Sequence, residues 1–190
     1  MNPFKSAVVV SLLAAAYATA AFAAPATYHL DPNHSYVRFS YNHMGFSTQQ
    51  QRFNKVTGSV TYDPQAQSGS ADVVIDLKSV DTGSPLAEHL QQADFFNTAQ
   101  YPTATFKSTA VHFNGDEPAS IDGTLTLHGV TRPVTLMVTH FKHGMNMMKK
   151  AAIGADAVGH IKRSEFNLGK YVPVVGDDVT ITVDFEAAAS

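Results

Sequence analysis

Apolar and polar residues alternate with a period of two through most of this chain. The clearest case is Ile121 to Leu136. Ile121, Gly123, Leu125 and Leu127 share one face, and Asp122, Thr124 and Thr126 share the other. After a short connection holding Gly129, Val134, Leu136 and Val138 oppose Thr135 and Thr139. Such alternation, rich in β-branched residues, predicts two half-buried antiparallel strands joined as a hairpin. Glycine supplies the backbone freedom that a tight connection needs.

The same reading gives strands at Thr27–Leu30, Ser35–Asn42 and around Val56, Val60 and Tyr62. Ala71, Val73, Ile75 and Leu77 form another, and Tyr101–Phe113 is a strand whose apolar phase switches between Phe106 and Val111, the mark of a bulge. Ile153, Ala155, Ala157, Gly159 and Ile161 make one further face, and Val179, Ile181, Val183 and Phe185 close the chain. Pro133 cannot donate a ladder bond, so it marks a strand start or bulge. His43–Gln51 reads as a loop or strand bend around Gly45, Lys142–Lys149 as a methionine-rich loop, and Arg163–Val175 as irregular. One segment departs from period two: Leu86, Leu90 and Ala93 have helical spacing, so a short helix is expected over Leu86–Phe96. Ser84 would cap it, Pro85 suits its first position and Glu88 suits its N-terminal dipole.

Eight or nine strands in meander order with one short helix predict an all-β fold. A sheet of this size curls or closes, and an eight-stranded antiparallel barrel with one short helix is the expected form. Its interior is wide enough to be filled by side chains or to hold one small ligand. Ala155, Ala157 and Gly159 would leave space inside, although close helix-on-sheet packing wants the same small residues.

Composition narrows the classes. Residues 1–23 carry one charge, Lys5, before the apolar run Ala7–Ala16 and the small residues of Ala21-Phe22-Ala23. This predicts an export signal cleaved after Ala23, leaving residues 24–190 as one domain. No other stretch is apolar enough for a membrane span, so the mature protein is expected to be soluble and exported. The chain has no cysteine, so core packing and not disulfides must hold it. Loss of Lys5 takes the formal charge from −3 to −4, which argues against a nucleic-acid partner.

Nine histidines invite a metal reading. His140 and His143 lie near Met145, Met147 and Met148, and imidazole with thioether is a set suited to copper. On a strand, residues three apart face opposite sides, so this pair would have to converge through a loop. Asp31, His34 and Ser35 are the residue types of a nucleophilic triad, but neighbours in one turn cannot form its relay. A metal- or stress-related binding protein using the His/Met loop is therefore the alternative function. An enzyme acting on a lipid head group has no residue set to nominate.

Leu125-Thr-Leu-His-Gly-Val-Thr-Arg-Pro-Val134 resembles the hallmark hairpin of the YceI family of polyisoprenoid-binding, lipocalin-like proteins. In the same order, Asp31-Pro-Asn-His-Ser35, His43-Met-Gly-Phe-Ser47, Ser79-Val-Asp-Thr82, His89-Leu90 with Asp94-Phe-Phe96, Tyr101-Pro102 with Thr105–Thr109, and Lys162-Arg-Ser-Glu-Phe166 are similar to family motifs. Two positions depart from the pattern. Gln51 stands before Arg52-Phe53, and Asn167 follows Phe166, where the family tends to have glycine.

The resemblance implies a periplasmic, extended lipocalin-like barrel that encloses the tail of an isoprenoid or similar amphiphilic lipid. It implies no shared catalytic residues and no obligatory cofactor, and a homodimer stays open. With the alternation, it nominates as lipid-facing walls Phe39 and Tyr41; Val60 and Tyr62; Val73 and Ile75; Phe106 and Leu125; Leu136 and Val138; Ala155, Ala157 and Ile161; and Ile181 and Val183. His43, Arg52, Arg132 and Arg163 are the head-group candidates, since guanidinium groups meet anions by paired hydrogen bonds. His128 also matches a family position and is expected to be structural.

Overall fold

The computed structural model describes residues 25–189; the expected export signal and its cleavage point lie outside them. The described residues form eleven strands and one short α-helix. They are β1 (Ala26–Leu30), β2 (Tyr36–His43), β3 (Ser47–Phe53), β4 (Val56–Asp63), β5 (Ser68–Asp76), β6 (Val80–Asp81), β7 (Thr103–Asn114), β8 (Glu117–Leu127), β9 (Val130–Met145), β10 (Ala151–Lys162) and β11 (Val175–Ala189), with α1 at Leu86–Leu90.

Eight of these strands close on themselves in the order β1-β4-β5-β7-β8-β9-β10-β11, sealed by the pairing of β11 with β1. All pairings are antiparallel. The predicted barrel is thus the observed one. Its 121–136 hairpin pairs in register from Ile121 opposite Leu136 to Leu127 opposite Val130. His128 and Gly129 form the turn, both with positive φ (50° and 76°), as the tightest hairpin connections require. The bulge expected in β7 lies between Ser108 and Ala110.

β1 and β2 lie end to end along one side of β11, and the break between them decides the shape of the interior. Asp31 donates from its backbone to the Glu186 carbonyl (2.8 Å), Glu186 donates back to the His34 carbonyl (3.1 Å), and fully buried Ser35 donates its hydroxyl to the Glu186 carbonyl (3.3 Å). Beyond the break, β2 no longer follows β4. It pairs with β3, and β3 meets only the two residues of β6. The β2–β3 hairpin therefore flares away from the barrel, and α1 with residues 91–101 covers the widened end. Leu90 is buried there, and Phe96 packs edge-on against Phe39 and Phe53, with ring centres at 5.9 and 5.5 Å.

Several expectations are corrected. Of the two readings of His43–Gln51, the strand bend around Gly45 holds and the loop does not: only Met44–Phe46 turn, and Ser47–Phe53 is strand. Two glutamines of β3 face inward with Phe53, and this hid its alternation. Lys142–Met145 extends β9, so the methionine-rich loop shrinks to the tip between β9 and β10. Pro133 lies inside β9, opposite Thr124, where β9 has one neighbour only, since its register with β10 starts at Met137. A strand edge tolerates the missing donor. The helix stops at Leu90 instead of Phe96. The chain then turns, with the Phe96 amide on the Leu90 carbonyl (2.9 Å), which brings Leu90 and Phe96 to the same apolar surface. So short a helix is held by its packing, not by propensity.

Candidate functional site

The barrel interior divides into two parts. At the end holding the tip between β9 and β10, Tyr28, Tyr62, Ile153 and Ala187 form a compact cluster with Phe113 and Phe141 against them. Tyr62 stacks with Phe113 (6.4 Å) and packs tilted against Phe141 (5.0 Å), and its hydroxyl donates to the Asp116 carbonyl (2.8 Å). This end is plugged. At the flared end lies a cavity of about 460 Å³, within the range of roughly 300–1,000 Å³ usual for small-molecule sites. Its walls are mostly apolar and come from β2, β3, β5, β7, β8, β10, β11, α1, Leu77, the segment 95–96 and the segment 163–171.

Of the fifteen wall residues nominated from sequence, Phe39, Tyr41, Ile75, Leu125, Ile161 and Ile181 line this cavity. Val73, Phe106, Leu136, Ala157 and Val183 belong to the packed core beside it. Val60 and Tyr62 belong to the plug. Ala155 is buried and Val138 half-buried on the inner face, away from the cavity. The small residues of β10 do not create the space, because large neighbours fill it. A side chain at Gly159 would collide with Leu136, and one at Gly123 with the Phe106 ring. The space comes from the flare. Sequence reasoning missed Leu86, His89, Leu90, Phe95, Phe96, Leu127 and Leu168 as lining residues. The adjacent Phe95-Phe96 was the one available signal, since two such rings must be buried somewhere.

The polar groups of the cavity are few. Gln51 is 4% exposed and its Oε1 has no hydrogen-bond partner among the described residues. It faces inward between the cavity residues Gln49 and Phe53. Burial pushes the Tyr41 phenol up, while the Arg163 guanidinium and the Gln51 side chain oppose that shift.

The head-group candidates separate. His43 and Arg163 line the cavity, whereas Arg52 and Arg132 do not. Arg163 donates to the carbonyls of Lys170 (2.9 Å), Val175 and Gly176 (both 2.8 Å), and also to that of Leu168. Its guanidinium organises the loop that leads into β11, and burial lowers its pKa. Arg52 lies over the Tyr36 ring at 5.5 Å, 3.9 Å from Asp81, and Arg132 reaches the Glu165 carbonyl at 3.4 Å. The His128 ring packs on Tyr101 at 4.6 Å, and neither nitrogen has a partner among the described residues.

Of the weak metal candidates, His143 shares the inner side of β9 with Phe141 and lies 5.6 Å from the Tyr62 ring, while His140 points outward beyond the bulge at Thr139. Met145, Met147 and Met148 are exposed. Among the described residues, no three His, Cys, Asp or Glu side chains gather to hold a metal ion.

Residues 28–187 match the YceI-like domain. The chain belongs to the YceI-like family. Protein YceI of Escherichia coli O157:H7 is 36% identical over 184 residues, covering 93% of this chain and 96% of that one. Protein YceI of Salmonella arizonae is 35% identical over 178 residues, covering 92% and 93%. Among solved structures, Burkholderia cenocepacia BcnA superposes with a TM-score of 0.72 at 31% identity, over 83% of this chain and 99% of that one. A polyisoprenoid binding domain from Saccharophagus degradans shares the fold at a TM-score of 0.65 and 21% identity, over 86% and 98%. The YceI-like barrel therefore accounts for the closed sheet, and the cavity at its flared end is the site to which a function must be fitted.

Proposed function

We propose that this chain is a periplasmic binding protein that takes the apolar tail of an isoprenoid or similar amphiphilic lipid into the flared-end cavity, to carry or sequester it. The observation that carries the reading is the apolar cavity of about 460 Å³ inside a closed barrel, plugged at the far end. A hydrocarbon tail gains about 25 cal/mol for each Å² of its surface withdrawn from water. Such a site needs apolar walls and a few polar groups, which Tyr41, His43 and Gln49 supply. The fold shared with the polyisoprenoid binding domain of Saccharophagus degradans supports the reading. The export signal expected over residues 1–23 supports a periplasmic location.

The reading is non-enzymatic. Arg163, the one guanidinium lining the cavity, is engaged by four main-chain carbonyls. Native mass spectrometry of protein drawn from the periplasm, followed by lipid extraction, tests binding and location together. A co-purifying isoprenoid or other single-tailed amphiphile is expected. Protein that is absent from the periplasmic fraction, or that neither carries nor takes up any lipid, overturns the proposal.

A further inference from the structure

The cavity reaches the surface beside Tyr171, a lining residue that is itself 56% exposed. Two tips project at this end. The β2–β3 turn carries Met44 (49% exposed) and Phe46 (87% exposed), and the loop before β11 carries Tyr171 and Val174 (59% exposed). They are neighbours, because His43 pairs with Val175 at the root of both. Large apolar side chains standing in water at a soluble protein's surface mark an interaction site when they cluster.

Both tips are built to hold these side chains out. In the first, the Phe46 amide donates to the His43 carbonyl (3.0 Å) and the Gly45 amide to Asn42 Oδ1 (2.8 Å). In the second, the Arg163 guanidinium gathers the loop carbonyls, and the Val172 and Val175 amides donate to Gly169 (3.1 Å) and Tyr171 (2.8 Å). Met44 and Tyr171 adopt left-handed backbone (φ 58° and 67°), a conformation that is costly for a side chain of that size. Local structure thus overrides both solvent avoidance and backbone preference at the two tips.

Their charge also selects a partner. Neither His43–Ser47 nor Gly169–Val175 contains a carboxylate, although the chain is acidic overall. The one ionic group on the tips is Lys170, paired with Asp94 and lying over the Phe95 and Tyr171 rings at 5.7 and 5.3 Å. Apolar side chains with a tyrosine and a lysine at their base match the residue preferences of the membrane interface.

We infer that these two tips dock the open end of the barrel onto a lipid bilayer surface, so that a tail passes between membrane and cavity without crossing water. The inference rests on the lipid-binding reading for its purpose, but the docking itself is a separate property. The exposed methionines between β9 and β10 lie at the plugged end and take no part.

The test uses the mature chain and vesicles of phosphatidylethanolamine and phosphatidylglycerol. The chain has no tryptophan, so Phe46→Trp is a single reporter whose emission should shift to the blue on vesicles. Phe46→Ser combined with Val174→Ser should lower co-flotation roughly tenfold or more, the scale of losing two apolar insertions. The same double variant should slow transfer of dansylated geranylgeraniol from vesicles, yet bind that probe with unchanged affinity when it is offered in solution. Neither substituted residue lines the cavity. No emission shift, or unchanged flotation and transfer in the double variant, overturns the docking. So does a double variant that becomes monomeric where the parent is dimeric with its vesicle binding intact, which would assign the rim to a second copy. A parent protein that floats but takes up no probe keeps the docking and removes the carrier reading instead.

Discussion

Gln51 and Arg163 are the two side chains whose surroundings most constrain what the cavity can do. An unpartnered amide oxygen in an apolar interior costs about 1–3 kcal/mol, which an apolar side chain of similar volume avoids. Gln51→Leu should therefore stabilise the ligand-free protein by about 1 kcal/mol, read as a raised denaturation midpoint at constant slope. Stability that falls instead would mean that the amide is satisfied. Arg163 presents the opposite case. It serves four carbonyls of the 168–176 loop, so Arg163→Met strands several acceptors at once. A loss of about 3 kcal/mol or more is expected in thermal or urea unfolding. Arg163→Lys should recover only a minor part, since one ammonium cannot span the carbonyls that the planar fork reaches.

At the scale of elements, the break between β1 and β2 is where the barrel gains its flare. The break carries an exposed ion pair, His34 Nδ1 to Asp31 Oδ2 at 2.9 Å. The hydrogen bond that the imidazole donates to the Asp31 carboxylate raises the His34 pKa, and the same bond lowers that of Asp31. For the imidazole the sign is clear: its stabilisation is complete below the unfolded value near 6.5 and fades as pH rises through the higher folded value. Asp31→Asn should bring the His34 titration, followed by NMR, back towards 6.5, and a midpoint that does not move would disprove the pairing. The flare also explains what could be read from sequence. Alternation placed β5, β7, β8, β9, β10 and β11 because each has one dry and one wet face, and closure follows once eight such strands are in order. β3 escaped because Gln49 and Gln51 face inward, and alternation records polarity, not direction. The helical segment was seen, but not that it ends at Leu90, because a turn that brings Leu90 and Phe96 together is a tertiary gain invisible to local spacing. The cavity was sought beside Ala155, Ala157 and Gly159, yet small residues make space only where no larger neighbour enters, and at Gly159 Leu136 does.

Taken as a whole, the barrel is a tube closed at one end and packed at its waist. Phe106, lying over Gly123, and Leu136, lying over Gly159, form a layer between the cavity and the Tyr62, Phe113 and Phe141 plug. That layer should set how long a tail the protein accepts. Across a series of prenyl alcohols, affinity should rise with chain length while each added unit is withdrawn from water, then level off when the tail meets the layer. Phe106→Ala should move the levelling point to longer chains, at a stability cost of about 3–5 kcal/mol for the lost ring. Phe106→Leu should move it the same way by less, and at lower cost, so the effect stays measurable if the alanine variant folds poorly. Ile181→Trp, which fills the cavity from its wall, should move it to shorter chains. Fluorescence displacement across the series reads all three. If the levelling point is the same in parent and variants, tail length is set at the mouth, and the layer serves the fold alone.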